Sequence, residues 1–521
     1  HALAFPVAIA GRFRATRTSP LTSVCLVRLG SAARLGLFQG AQGGIAQGFS
    51  GGRRSGCVDL CHARLNRANI APLQVRLAAI ARVCYAHAMK DGFDARRFAA
   101  QAFDRAWRGK GPLEDSLNMA PGFQDMDPRD RAFSRLIAAT TLRRVGQTQA
   151  ALDAFLDKPL PDDAHVARAL LLTGAAQLIW LDTPPHAAVS GAVGLAKESP
   201  ATVRYSGLIN AVLRKVVGNG KRFAKATPAR DNLPAWLRDS WIRTYGTDKT
   251  ELIAEAVTRE PTLDLTLRDQ GEAEDWAEQI GAEILETGSL RKVGIGDVRA
   301  LAGYEAGAWW LQDAGASIPA RLLTVQPGEA VLDLCAAPGG KTLQLAAAGG
   351  QVTALDASAK RLKKLDANLT RTGLSADIIV ANGRTWRSET QFDAILLDAP
   401  CTATGTLRRR PDAAWMKQAG DAASLSPIQD DLFSTAVAAL RPGGRLVICT
   451  CSLQPEEGQL WLQRGLAAHA DMSVVPVRPD ELPGLEAALD ATGHVQLTPD
   501  MWAERGGIDG FFIARLEKSA A

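Results

Sequence analysis

Two short segments place thiols beside turn-forming residues: Asp398-Ala-Pro-Cys-Thr-Ala-Thr-Gly405 and Cys449-Thr-Cys-Ser452. A cysteine attacks as its thiolate, and a thiolate also leaves well, so it suits a covalent bond that must later break. Cytosine is a ring that needs such attack, because its C5 is too weakly nucleophilic to take a methyl group directly. Thiolate addition at C6 builds electron density at C5. The Asp398 carboxyl can accept a hydrogen bond from the amino edge of cytosine and, when protonated, donate one to N3. A base must then take the C5 proton so that elimination frees the thiol. Free cysteine is more often a small buried hydrophobe, which is the reading for Cys335 and Cys449. Cys401 and Cys451, each next to a turn, are the reactive candidates.

A third segment, Val331-Leu-Asp-Leu-Cys-Ala-Ala-Pro-Gly-Gly-Lys-Thr342, runs from an apolar strand through a glycine turn into a helix at about residues 343–348. Adjacent glycines let backbone approach a ligand, and a helix start offers free N–H groups, so a nucleotide-like ligand is expected there. A phosphate-binding P-loop needs glycine where Cys335 stands, and a dinucleotide fingerprint needs a third glycine after Gly340. Both are excluded. Asp356, ending the next strand, is placed to accept from ribose hydroxyls, or else to cap the following helix. Asn382, after the third strand, is placed to face an adenine.

These segments require a scaffold that brings strand ends together. From Pro327 onward, β-rich runs at residues 330–334, 351–355, 377–380, 392–397 and 445–449 alternate with helical segments, which predicts a parallel, doubly wound α/β sheet. In such a sheet the carboxyl ends of neighbouring strands face one crevice, uniting Asp398, Cys401 and Cys451 beside the glycine loop. Gly510–Leu516 is expected as an antiparallel edge strand. Residues 94–218 are helical throughout, with apolar spacings of three and four. Prolines 159, 161, 184, 185 and 200 mark the connections between helices, and the polar stretch Gly218–Pro228 reads as a linker. Between the two regions, Thr262–Arg268 is strand-like and Glu272–Ile284 helix-like.

The chain has 521 residues, 46% of them hydrophobic, enough for two to four domains. No apolar stretch reaches the roughly 20 residues of a membrane span. The net charge of +5, from 60 basic and 55 acidic residues, permits a polyanionic partner without demanding one. Eight cysteines are too sparse for a disulfide scaffold and fit a reducing cytoplasm. Cys57, Cys61, His62, Cys84 and His87 lack the second close pair of a zinc site, so no metal is expected. Residues 1–93, with no acid before Asp59 and scattered arginines, suit a transit peptide, a disordered tail or a mistranslated extension, and are assigned no function.

Taken in order, Gln312-Asp313, Asp333–Thr342, Asp398-Ala-Pro-Cys401, Arg409-Arg-Pro-Asp412, Thr450-Cys-Ser452, Pro455-Glu-Glu457 and Asp509-Gly-Phe-Phe512 resemble the RNA cytosine-5 methyltransferases of the Sun and nucleolar-protein group, most closely the bacterial RsmB (Sun, Fmu) branch. The resemblance spans about residues 94–517. It implies a Rossmann-like class I methyltransferase sheet over residues 316–518, preceded by an all-α NusB-like RNA-binding domain over residues 94–220. Residues 230–315 would hold linker helices and a small subdomain that seats RNA. It implies Cys451 as nucleophile, Cys401 as the thiol assisting product release, and S-adenosylmethionine as cofactor. The cofactor would be held by Ala336, Ala337, Pro338, Gly339, Gly340, Lys341, Asp356, Asn382 and Asp398. Asn382 departs from the aspartate usual in that family, keeping a carbonyl acceptor but losing the charge. The implied substrate is 16S ribosomal RNA, small-subunit RNA being favoured over transfer RNA by the helical domain, and the protein is expected to be monomeric. A non-catalytic RNA-binding or assembly factor is the contrasting reading.

Overall fold

The computed structural model describes residues 92–294 and 296–520. The candidate metal ligands Cys57, Cys61, His62, Cys84 and His87, and nearly all of the N-terminal extension, lie outside them.

The helical region comprises α1 (92–107), α2 (Leu113–Asn118), α3 (Pro128–Arg143), α4 (Val145–Asp153), α5 (His165–Ile179), α6 (Pro185–Glu198) and α7 (Ser206–Ala226). Asp127 caps α3 by accepting from the Arg129 N–H, and Pro128 at the first helical position loses no hydrogen bond. After Arg168, α5 carries no charge and is buried through residues 169–179, forming the centre on which α3, α4, α6 and α7 pack. The polar stretch expected as a linker is instead the last two turns of α7. Gly220 and Ala224 fall on the buried stripe set by Ile209, Leu213 and Val216, so the helix continues to Ala226 despite its polar composition.

A helical pair, α8 (Ala235–Tyr245) and α9 (Thr247–Val257), leads to a four-stranded antiparallel sheet. Its strands are β1 (Leu263–Leu267), β2 (Glu283–Ile284), β3 (Leu290–Lys292) and β4 (Trp309–Leu311), in the order β2-β3-β1-β4. Helix α10 (Ala273–Ile280) stops at Gly281, which adopts a left-handed conformation, so Glu283 and Ile284 form a strand where sequence periodicity predicted continued helix. Asp264 and Arg291 form a fully buried ion pair at 2.6 Å across this sheet.

Helix α11 (Ala314–Leu322) precedes the large sheet. Its parallel strands are β5 (Ala330–Leu334), β6 (Gln351–Asp356), β7 (Asp377–Val380), β8 (Phe392–Asp398) and β9 (Leu440–Thr450). Between them run α12 (Gly340–Ala347), α13 (Ala359–Thr372) and α14 (Asp421–Ala439), and α15 (Gln459–Ala468) follows β9. The strands β10 (Met472–Val474), β11 (Val495–Leu497) and β12 (Phe511–Lys518) complete it, in the order β10-β12-β9-β8-β5-β6-β7. β12 is antiparallel as expected but is not an edge, because β10 and β11 pair along its far side. The all-apolar Leu332, Leu334, Ile395 and Leu397 are buried, as strands covered on both faces require.

The helical region is stitched to the loop after β8. Arg143 donates through Nε and Nη2 to the Arg408 carbonyl, at 3.2 and 2.9 Å, and the Leu113 N–H donates to Asp412 at 3.1 Å. Among the described residues no helix is long and apolar enough to cross a membrane.

Candidate active site

The glycine loop turns sharply. Cys335 has φ 70°, Ala337-Pro338 is cis, and Gly339 has φ 109°. The N–H groups of Cys335 and Ala336 both donate to the Leu355 carbonyl, lashing the loop to β6. Gly339 is required for a reason other than ligand approach: a Cβ there would lie 2.4 Å from Leu365 of α13. The first N–H groups of α12 are left without helical partners, as at any helix start.

Three carboxylates surround this loop. Asp333 is buried, accepts from the Thr342 hydroxyl at 2.5 Å, and leaves Oδ1 without a partner. Burial pushes its carboxyl up to about 7, aided by the charges of Asp398 and Asp356. Asp356 accepts from the Ala337 N–H at 3.1 Å and from the Ser358 N–H at 2.8 Å, while Ser358 caps α13. Asp356 therefore ties the loop to the next strand and retains further acceptor positions. Asn382 lies two residues beyond β7, exposed, and accepts from the Arg384 N–H at 3.1 Å. Pro338 is also exposed, whereas Ala336 and Ala337 are buried.

Asp398 ends β8. Its Oδ2 accepts from Lys341 Nζ at 2.7 Å and its Oδ1 from the Cys449 thiol at 3.5 Å. Lys341 is thus drawn across the crevice to the carboxylate, with Nζ 5.1 Å from the Phe511 ring centroid. Burial alone would lower the lysine's proton affinity, but the charge and hydrogen bond of Asp398 together with the neighbouring thiols more than offset this and keep it charged.

Beyond Asp398 the two thiols meet: Cys401 Sγ and Cys451 Sγ are 3.5 Å apart, both partly exposed. Cys449 is fully buried and Cys335 packs against the sheet core, as expected of small hydrophobes. The hydrogen bond to Cys451 and then burial hold the Cys401 thiol well above its usual range. Lys341 and Arg409 both feel the charge of Cys451.

Two buried charged groups join these motifs, and Arg408 is the member the sequence did not single out. Arg408, one residue before the expected arginine motif, is buried and pairs with Asp313 at 2.7 Å, while Asp509 pairs with Arg409 at 2.7 Å and donates its N–H to Asp313 at 2.9 Å. This cluster draws Gln312-Asp313, the arginine motif and Asp509-Gly510 into one joint. Glu457, the last residue of the Pro455-Glu-Glu457 motif, is also fully buried, beneath the thiol loops. Among the described residues no group of three or more His, Cys, Asp and Glu side chains is placed to hold a metal.

The crevice fits a cationic nucleoside. Asp356 and Asp398 bring negative charge beside the buried Asp333 and Cys335, and Asp333 keeps an orphaned buried oxygen. Residues 320–517 match the family described as 16S rRNA methyltransferase RsmB/F, and residues 94–218 match the NusB family. The ribosomal RNA small subunit methyltransferase B of Cronobacter sakazakii is 32% identical over 453 residues, covering 82% of this chain and 100% of its own length. Its counterpart in Salmonella arizonae is 33% identical over 462 residues, with the same coverage. The solved structure of PH0851 shares the fold with a TM-score of 0.63 at 23% identity, over 81% of this chain and 98% of its own. The sheet, its loop and the helical region ahead of it define an S-adenosylmethionine-dependent methyltransferase with a NusB-type domain. The chain belongs to the RsmB/F family.

Proposed function

We propose that this enzyme methylates carbon 5 of cytosine in 16S ribosomal RNA through a covalent adduct between Cys451 and C6. The observation that carries the reading is the 3.5 Å approach of the Cys401 and Cys451 thiols, with Asp398 one strand end away. The family's relatives, named as small-subunit ribosomal RNA methyltransferases, support the choice of RNA.

In this reading the target cytosine is flipped out of its stack into the crevice. The Cys451 thiolate adds to C6, and the electron pair of the C5–C6 double bond moves toward C5 and the ring. Asp398, whose oxygens keep acceptor capacity beside Lys341 and Cys449, accepts from the cytosine amino group and holds the base in register. S-adenosylmethionine, when bound, supplies an electrophilic methyl group. Ala336 to Lys341, Asp356, Asn382 and Asp398 are the residues assigned to hold it. Once C5 carries the methyl group, a base takes its proton, the C5–H electron pair re-forms the double bond, and the Cys451–C6 bond breaks with its pair returning to sulfur. Cys401 assists this release.

Bisulfite sequencing of ribosomal and transfer RNA from cells with and without the gene tests the proposal. Loss of one methylated cytosine in small-subunit RNA is expected. Loss confined to transfer RNA would move the substrate, and unchanged cytosines everywhere would sink the reading.

A further inference from the structure

We propose that Glu457 is a positioning residue, resting on the reading above, whose carboxylate sets the Cys401 loop against Cys451 and so governs release of the product from the covalent adduct.

Glu457 lies under the site and contacts neither the glycine loop nor the thiols. Its Oε1 and Oε2 accept from the Thr402 N–H at 2.9 and 3.1 Å, and the Thr402 hydroxyl donates to Oε2. Gln429 Nε2 donates to the Pro400 carbonyl at 3.0 Å and to Glu457 Oε1 at 3.4 Å. The residues on either side of Cys401 are therefore fastened to one carboxylate and its amide neighbour.

The same carboxylate reaches the other thiol loop. Because the Thr402 hydroxyl gives its proton to Glu457, its oxygen is an acceptor for the Ser452 hydroxyl at 3.2 Å. Ser452, adjacent to Cys451, lies 3.2 Å from Thr404, whose oxygen accepts from the Leu453 N–H at 2.9 Å. The Glu457 carbonyl accepts from Thr450 at 2.9 Å on the other side of Cys451. One fully buried residue thus bridges both strand ends, and a buried carboxylate held by three donor groups is costly unless its partners stay in place.

The charge has a second effect. Glu457 adds to the influences that keep the Cys401 proton in place, after the Cys451 hydrogen bond and burial. Burial pushes the Glu457 carboxyl itself up, while hydrogen bonds from Ser452 and Thr402 pull it down. Cys401 is kept as a thiol beside Cys451. Attack and release are divided, in the reading above, between two sulfurs only 3.5 Å apart.

The test uses the full-length enzyme, S-adenosylmethionine and a small-subunit RNA fragment, with the covalent adduct followed on denaturing gels. Glu457→Gln should lengthen the adduct lifetime by about tenfold or more, with S-adenosylmethionine affinity and the KM for RNA within about twofold of the parent. Thr402→Val, which cuts the hydroxyl link without touching the charge, should lengthen it less, and it decides the question if Glu457→Gln does not fold. An adduct lifetime equal to the parent's in the folded variants would overturn the proposal. Cys401→Ser separates the two ideas: an adduct trapped there with parental release in Glu457→Gln defeats only the role of Glu457, whereas no adduct in any variant defeats the covalent reading itself.

Discussion

Lys341 Nζ sits 2.7 Å from Asp398 Oδ2, so a residue of the first turn of α12 also grips the carboxylate that ends β8. The side chain expected to help hold the cofactor also joins the glycine loop to the end of β8. Lys341→Met should leave the half-buried carboxylate without its cation and reduce turnover by about two orders of magnitude, with Lys341→Arg recovering part of it. Transfer of labelled methyl groups to RNA measures both.

The two thiols should fail differently. Cys451→Ala is expected to abolish methylation and leave no covalent RNA–protein species, because no sulfur then reaches C6. Cys401→Ala should retain attack and accumulate the adduct, visible as a slowly migrating band after denaturation. Reversal of these outcomes would exchange the two roles.

Arg408 and Asp313 form an ion pair whose side chains are 1% and 2% exposed. Arg408→Met leaves Asp313 buried and uncompensated, and should cost about 3–5 kcal/mol in denaturant unfolding. Adding Asp313→Asn, which keeps the cap on α11, should recover much of that loss.

Stability should fall with rising pH across the titration of Asp333. Burial lifts its carboxyl from 3.8 to about 7, so over roughly pH 4 to 7 the folded state holds a proton that the unfolded chain has released. That contribution is fully present below the unfolded value and lost as pH rises through the folded one. Asp509, lifted to about 6 by burial and then by Asp313, acts in the same direction. Asp333→Asn should shrink the decline between pH 4 and 7 by about 2–4 kcal/mol, read from urea titrations at each pH.

Gly405 and Gly510 meet back to back, and a Cβ on Gly405 would fall 2.1 Å from the Gly510 carbonyl oxygen. Gly405 also donates its N–H to the Cys451 carbonyl at 2.9 Å. Gly405→Ala should therefore destabilise by about 3 kcal/mol and impair adduct formation together, checked by thermal unfolding and the gel assay.

The alternation of strands and helices after Pro327 was legible because buried parallel strands read as continuous apolar runs, and their carboxyl ends share a crevice by topology. That is why Asp398, Cys401 and Cys451 were expected together. The fate of residues 218–228 was not legible, since polar composition outweighed a buried stripe carried only by Gly220 and Ala224. The edge assignment of β12 failed because β10 and β11 are three residues each, too short to signal a strand pairing. Lys341 and Glu457 illustrate another limit. Residue type and spacing place a charge on a loop, but its partner, Asp398 57 residues away or Thr402 55 residues away, is chosen by the fold.

The uninterrupted course of α7 to Ala226, together with the Arg143 hydrogen bonds to the Arg408 carbonyl, bears on how substrate is selected. The helical domain is seated against the very loop that follows Cys401, so it works as a fixed jig rather than a tethered arm. Were RNA to engage both parts, the distance between its two contacts would be set by the packed protein rather than by a flexible linker.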